Sequence, residues 1–180
     1  MLKSYYLHGF ASQFDPTSEK LRTLAELGPV QGHNIDYTQS AEEVVENSLD
    51  KLMQVNPDLL IGTSMGGWLA SILGSETGIP FVAINPVIDP SKSLNKHVGQ
   101  GIDHQGEAYE LTSTVVRSYY PFARNGSGLV LLDDGDEVID RQGTIKALEG
   151  YYPVHSFSGG SHRFEHMANA LELIREHVRE

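Results

Sequence analysis

Leu59-Leu60-Ile61-Gly62-Thr63-Ser64-Met65-Gly66-Gly67-Trp68-Leu69-Ala70 decides how this chain is read, because an apolar, strand-like run passes through G-x-S-x-G directly into a helix-compatible segment. A serine raised on so sharp a strand-to-helix turn needs small neighbours, since side chains at Gly62 and Gly66 would collide with the adjoining backbone. The turn exposes the Ser64 hydroxyl and sets the Met65 N–H at a helix N-terminus, where unpaired donors and the helix dipole stabilise an oxyanion. Ser64 is therefore a candidate nucleophile. The five-residue pattern alone fits an ordinary turn equally well, and it is the runs on either side that give it weight.

Working outward, short apolar runs predict strands over 4–7, 34–37, 59–62, 81–85, 129–132 and 154–157, with helical patterns between most of them. Asp15-Pro16 is expected to cap and start a helix carrying Leu21, Leu24 and Ala25, and Ser40 with Glu43 forms a capping-box signature ahead of Val44, Val45, Leu49 and Leu52. Phe164, Met167, Ala168, Leu171, Ile174 and Val178 recur at helical spacing and predict a terminal amphipathic helix. Strands alternating with helices, several strands apolar throughout, imply a three-layer αβα fold with a mainly parallel central sheet of about six strands. The 180 residues, 39% of them hydrophobic, suit one domain over 1–180. The long, polar stretch 86–122 breaks the alternation and is expected to form a small, reduced cap over the site.

A formal charge of −11, with 13 Lys and Arg that form no basic stripe, argues against nucleic acid as a partner. No cysteine is present, which removes disulfides, thiolate metal sites and a cysteine nucleophile. Met1 runs directly into Ser4-Tyr5-Tyr6-Leu7 with neither a signal-peptide core nor a membrane-length apolar stretch, so a soluble, cytoplasmic protein without a membrane partner is expected.

A serine alcohol is a poor nucleophile at neutral pH and needs a base within hydrogen-bond reach and a group that orients the base. After the apolar run 129–132, Asp133-Asp134-Gly135-Asp136-Glu137 sets several carboxylates at the sheet's carboxyl edge. Asp136, after the turn glycine, is the preferred acid, with Glu137 in reserve and Asp134 third. The others read as a solvated turn or, for Asp140, a helix cap. Ser158-Gly159-Gly160-Ser161-His162 puts a histidine on a loop just before the terminal helix, which makes His162 the candidate base. His162 and His166 have the four-residue spacing of a helical metal pair, but no third ligand and no H-E-x-x-H glutamate accompany them, so no metal is expected. In Leu7-His8-Gly9-Phe10 the Phe10 N–H is the candidate second oxyanion donor beside Met65, and His8 reads as a structural residue holding that loop. Trp68 and the pairs Tyr5-Tyr6 and Tyr119-Tyr120 read as core or rim aromatics.

Taken together, Leu7-His8-Gly9-Phe10, Gly62-Thr63-Ser64-Met65-Gly66-Gly67, Asn85-Pro86, Gly106-Glu107 with Tyr109, Gly135-Asp136-Glu137-Val138, and Gly159-Gly160 with His162 and Phe164 resemble, in order, the motifs of the α/β-hydrolase superfamily. Within it they resemble the small bacterial YqiA-type esterases. The resemblance covers most of the chain. It implies hydrolysis of small-molecule carboxylic esters or thioesters by Ser64, Asp136 and His162 without a cofactor, and it supports the reading of 86–122 as a cap. Asp89 stands where relatives are expected to carry a basic residue, which implies a different specificity here. Rival readings are an acyltransferase or other-bond hydrolase on the same scaffold, a hydrolase-fold binding protein without catalysis, and, ranked last, a metal-dependent hydrolase.

Overall fold

The computed structural model describes residues 1–179. Along the chain run β1 (Ser4–Leu7), α1 (Glu19–Leu24), β2 (Val30–Gly32), α2 (Ala41–Val55), β3 (Leu59–Thr63), α3 (Met65–Thr77), β4 (Phe81–Ile84) and α4 (Pro90–Ser93). There follow β5 (Gly99–Ile102), β6 (Ala108–Leu111), α5 (Ser113–Ser118), β7 (Gly128–Asp133), α6 (Arg141–Leu148), β8 (Val154–Phe157) and α7 (Met167–Arg179). Six strands form one parallel sheet in the order β2-β1-β3-β4-β7-β8.

Strand periodicity sorts the core into two layers. Tyr5, Leu7, Leu60, Phe81, Ala83, Val130 and Leu132 face a cluster completed by α2, α3 and α6. Tyr6, Leu59, Ile61, Val82, Ile84, Leu129 and Leu131 face the opposite cluster, with α1 and α7. Because both faces are covered, the central strands β1, β3, β4 and β7 are buried at every position and largely apolar, as expected of a parallel sheet. Trp68, fully buried on α3, packs edge-on against Tyr119 and Tyr120 and donates from Nε1 to the Tyr120 carbonyl at 2.7 Å.

Three local expectations need correcting. The second strand is Val30–Gly32, not 34–37: Val30, Gln31 and Gly32 pair with Ser4, Tyr5 and Tyr6, while 34–37 is a loop at the sheet's carboxyl edge. Helix α1 starts after Ser18, whose Oγ accepts from the Leu21 N–H; Asp15 instead closes a tight turn on the Thr17 N–H and hydroxyl. The buried face of α7 is Met167, Ala170, Leu171 and Ile174, with Ala168 exposed, and Phe164 sits before the helix at φ +64°. The capping box of Ser40 and Glu43 is present in full.

Residues 86–122 fold into α4, a single 3-10 turn (Asn95–His97), the β5–β6 hairpin and α5. This segment lies against the loop that follows β1. Phe10 meets the rings of His97 and Tyr109 at 4.9 and 5.2 Å, and the His104 N–H donates to the Ala11 carbonyl at 2.9 Å.

Candidate active site

Ser64 links the end of β3 to the start of α3 with φ +58° and ψ −119°, a conformation that costs a non-glycine residue about 1–3 kcal/mol. Surrounding bonds fix it. Its N–H donates to the Ile84 carbonyl at 3.0 Å, and its carbonyl accepts from the N–H groups of Gly67 (2.9 Å), Trp68 (3.3 Å) and Val87 (3.1 Å). A Cβ on Gly62 would overlap the Gly66 carbonyl, and one on Gly66 the Leu7 carbonyl, so the turn closes only with glycine at both positions. As the first residue of α3, Met65 carries an N–H without an intrahelical acceptor.

Sheet topology assembles the rest. Strand order reverses beside β1, and loops at the carboxyl ends of β1 and β3 flank the crevice that open α/β sheets use for ligands. His162, on the loop between β8 and α7, reaches Ser64 from the far side, with Nε2 3.1 Å from Oγ and Nδ1 2.9 Å from Asp136 Oδ2. The Asp136 side chain is 2% exposed and that of His162 22%. Burial alone would raise the Asp136 carboxyl, but hydrogen bonds from His162, the Ile139 N–H and the Val138 N–H outweigh it and hold the group below its ordinary value. An ionised Asp136 only accepts, so it takes the His162 Nδ1–H and leaves Nε2 to accept from the Ser64 hydroxyl.

The neighbouring acids do other work. Glu137, the reserve acid, accepts the His162 backbone N–H at 3.1 Å; Asp134 pairs with Arg141; Asp140 caps α6 through the Gly143 N–H. Asp133, expected in a solvated turn, is instead fully buried as the last residue of β7. Its Oδ2 accepts from the N–H groups of Ser161 (3.2 Å) and Glu165 (2.8 Å), and its Oδ1 from His166 Nδ1 (2.7 Å). His162 and His166 thus bind two different aspartates, neither lies on a helix, and no cluster among the described residues is placed to hold a metal ion.

Asn85, noted in the sequence only within the Asn85-Pro86 motif, received no role there. Fully buried at φ +42° just after β4, it donates from Nδ2 to the carbonyls of Ser161 (3.1 Å) and His162 (3.2 Å) and accepts the Asp133 N–H at Oδ1 (2.9 Å). The signal lay in Asn85-Pro86: a polar residue ending an apolar strand, where a buried amide needs partners.

Opposite His162, the loop after β1 comes within van der Waals range of Ser64: a Cβ on Gly9 would lie 3.4 Å from Ser64 Cβ. Phe10, the candidate second donor, follows directly. His8 braces this loop, with Nδ1 donating to the Gly9 carbonyl (2.7 Å) and Nε2 accepting the Ile35 N–H (2.8 Å). Burial, partly offset by the Gly9 carbonyl, lowers the His8 pKa and keeps the ring neutral, as these two bonds require. Tyr37 adds a hydroxyl bond to the His8 carbonyl at 2.6 Å. From Phe10 a cavity of about 270 Å³ extends past Asp36 and Thr38 to Asp103 and Tyr109. Asp89 precedes α4 without a side-chain capping bond, and its carboxylate is tied to the Ser91 hydroxyl and Lys92.

Comparison with known proteins agrees with this architecture. UPF0227 protein YcfP of Salmonella arizonae is 26% identical over 176 residues, 94% of this chain and 95% of the relative. UPF0227 protein Shewmr7_1806 of Shewanella sp. strain MR-7 is 26% identical over 177 residues, 95% and 96% of the two chains. Among solved structures, Est1E from Butyrivibrio proteoclasticus with bound ferulic acid matches 100% of this chain and 90% of its own at TM-score 0.77 and 15% identity. Monoacylglycerol lipase of Paleococcus ferrophilus matches 98% and 93% at TM-score 0.69 and 13% identity. The model of the uncharacterised protein family UPF0227 matches residues 3–178, and with the parallel sheet and the serine turn in place the chain belongs to that family and has the α/β-hydrolase fold.

Proposed function

We propose that the protein is a serine hydrolase that cleaves small to medium carboxylic esters or thioesters, with 1–180 as one hydrolase domain and 86–122 as its reduced cap. The observation that carries this reading is the continuous run of hydrogen bonds from Asp136 through His162 to a strained Ser64 at a helix N-terminus. That the structural neighbours include a ferulic-acid-bound Est1E and a monoacylglycerol lipase favours ester substrates.

The proposed reaction uses that geometry. His162 Nε2 takes the Ser64 proton as Oγ attacks the carbonyl carbon, and the N–H groups of Met65 and Phe10 hold the oxyanion. Asp136 fixes the His162 tautomer and stabilises the imidazolium. When the tetrahedral species collapses, the carbonyl–heteroatom bond breaks and His162 hands its proton to the departing alkoxide or thiolate. Water then attacks the acyl-serine; His162 takes its proton and returns it to Ser64 Oγ as the acid leaves.

Treating wild type and Ser64→Ala with a fluorophosphonate probe, mapping the adduct by peptide mass, and assaying p-nitrophenyl esters of increasing chain length tests the reading. Labelling and turnover are expected in wild type, and both are expected to vanish in the variant. A folded wild type that neither labels nor turns over overturns the proposal.

A further inference from the structure

We infer that Asn85 and Asp133 are positioning residues for His162, an inference that rests on the hydrolase reading above. Three of their hydrogen bonds converge on the two residues that carry the imidazole. Asn85 Nδ2 holds the carbonyls of Ser161 and His162, and Asp133 Oδ2 holds the Ser161 N–H. The two are joined to each other, since the Asp133 N–H donates to Asn85 Oδ1, and both grow out of strand ends, Asn85 after β4 and Asp133 at the end of β7. The position of His162 is thereby referred to the same sheet that positions Ser64, whose N–H is bonded to Ile84, the residue before Asn85.

The chemistry of the pair supports this assignment over generic packing. A fully buried carboxylate is costly unless every lone pair it uses is satisfied, and Asp133 collects its donors from one short loop: Ser161, Glu165 and His166. Elsewhere that loop is held by the Gly135 N–H on the Gly159 carbonyl, the Phe164 N–H on the Ser161 carbonyl and the buried Phe164 ring. Gly159 and Gly160 take φ of +80° and +74°, and a Cβ on Gly160 would overlap Asp133 Oδ2, so the backbone passes directly over the carboxylate. Without Asn85 and Asp133, His162 would keep only its bonds to Asp136, Ser64 and Glu137, the last on an exposed side chain.

A displacement of about 1 Å at a reacting group costs on the order of 10²-fold in rate. Asn85→Ala is therefore expected to lower kcat, and the fluorophosphonate labelling rate with it, by about 10- to 100-fold while KM stays within about twofold. If Asn85→Ala does not fold, Asn85→Gly carries the same expectation, because glycine accepts the +42° φ and removes both Nδ2 donors without burying a charge. Asp133→Asn should rescue what Asp133→Ala loses: its one remaining oxygen serves the Ser161 and Glu165 N–H groups, and its amide donates to a His166 that has switched tautomer. That switch is visible in the imidazole 15N shifts.

Labelling rates measured well below each variant's Tm, the acid limb of the kcat/KM pH profile, and the low-field Nδ1 proton of His162 read positioning apart from stability. Slower labelling with a moved limb and an altered proton resonance supports the inference. A lowered Tm with all three unmoved overturns it and leaves the hydrolase reading intact. A wild type that does not label overturns the hydrolase reading itself, and this inference with it.

Discussion

On the His162 side of Ser64, the loop is tied to the sheet by side chains at strand ends: Asn85 after β4 and Asp133 at the end of β7, both fully buried. On the Phe10 side, loop is tied to loop. His8 and Tyr37 bond across between the segment after β1 and residues 33–38, and Phe10 and Ala11 lean on the 86–122 segment through two ring contacts and one backbone bond. One wall is referred to strand ends of the sheet, the other to a neighbouring loop and the 86–122 segment. The His8 bonds on the Phe10 side are buried, so the two walls differ in what they are tied to, a neighbouring loop or the strand ends, and not in exposure.

The largest effect should come from the acid at the end of the anchored wall. Asp136→Asn leaves volume and burial almost unchanged but destroys the acceptor that fixes the His162 tautomer, and kcat is expected to fall about 10³- to 10⁴-fold in steady-state ester hydrolysis. Glu137→Gln, one residue along, removes only charge from an exposed acceptor of the His162 N–H and should change kcat by less than about fivefold. Equal losses in the two variants would mean that the acid has been assigned to the wrong carboxylate.

His8→Ala tests the other wall. It strands the buried Ile35 N–H, an unsatisfied donor that costs about 1–3 kcal/mol, and it frees the loop that carries the Phe10 N–H. Urea denaturation should register the first effect. The second should appear as a drop in kcat of about 10- to 10²-fold, the range set by a loosened catalytic contact. A loss of stability at full turnover would show that Phe10 keeps its place without the brace.

The two walls also separate with pH. His33, lowered to about 4 by burial and by the neighbouring His8 and Lys51, and His8, also lowered by burial, both belong to the Phe10 side. For each, the unfolded chain binds a proton at a higher pH than the folded one. Stability therefore falls as pH drops below 6.5 and, for His33, continues to fall until about pH 4. Asp136, depressed in the fold, contributes stability that is present above 3.8 and lost as pH falls through its lower folded value. Thermal melts from pH 7 to pH 4 should thus show a decline that His33→Gln makes shallower, whereas a parallel decline in wild type and variant would remove His33 as its source.

Legibility in the sequence followed the same division. The serine turn could be read because Gly62 is forced by a contact four residues away and the G-x-S-x-G spacing is local, although Gly66 is forced by the Leu7 carbonyl on β1; Asp136 and His162 could be read because each stands at a glycine-marked turn after a late strand. The brace was misread. Ile35 and Tyr37 are both buried and two apart, which imitates the alternation of a strand, although what buries them is packing beneath the Phe10 loop. The true second strand, Val30-Gln31-Gly32, is a short edge strand without an apolar run. Asp133 was equally opaque: in Asp133-Asp134-Gly135-Asp136 nothing local separates the buried carboxylate from the exposed one, and only its pairing with Phe157 on β8 puts it inside. His162 and His166 matched a helical metal spacing on a stretch that forms no helix, since Gly159, Gly160 and Phe164 all take positive φ around them.

The smallest predicted effect is the most direct probe of how far the Phe10 wall depends on the 86–122 segment. Tyr109 meets Phe10 edge-on at 5.2 Å and lines the cavity that begins there, but it bonds to nothing in the Asp136–His162–Ser64 run. Tyr109→Ala removes an aromatic pair worth about 0.5–1.5 kcal/mol, so if that energy holds the loop in its binding shape, KM should rise about two- to tenfold with kcat nearly unchanged. Chain length supplies the control: esters long enough to enter the cavity should feel the change and acetyl esters should not. A uniform rise in KM across the series would place the effect on the loop as a whole, whereas a fall in kcat would mean that the 86–122 segment holds the Phe10 N–H in the position proposed for oxyanion binding.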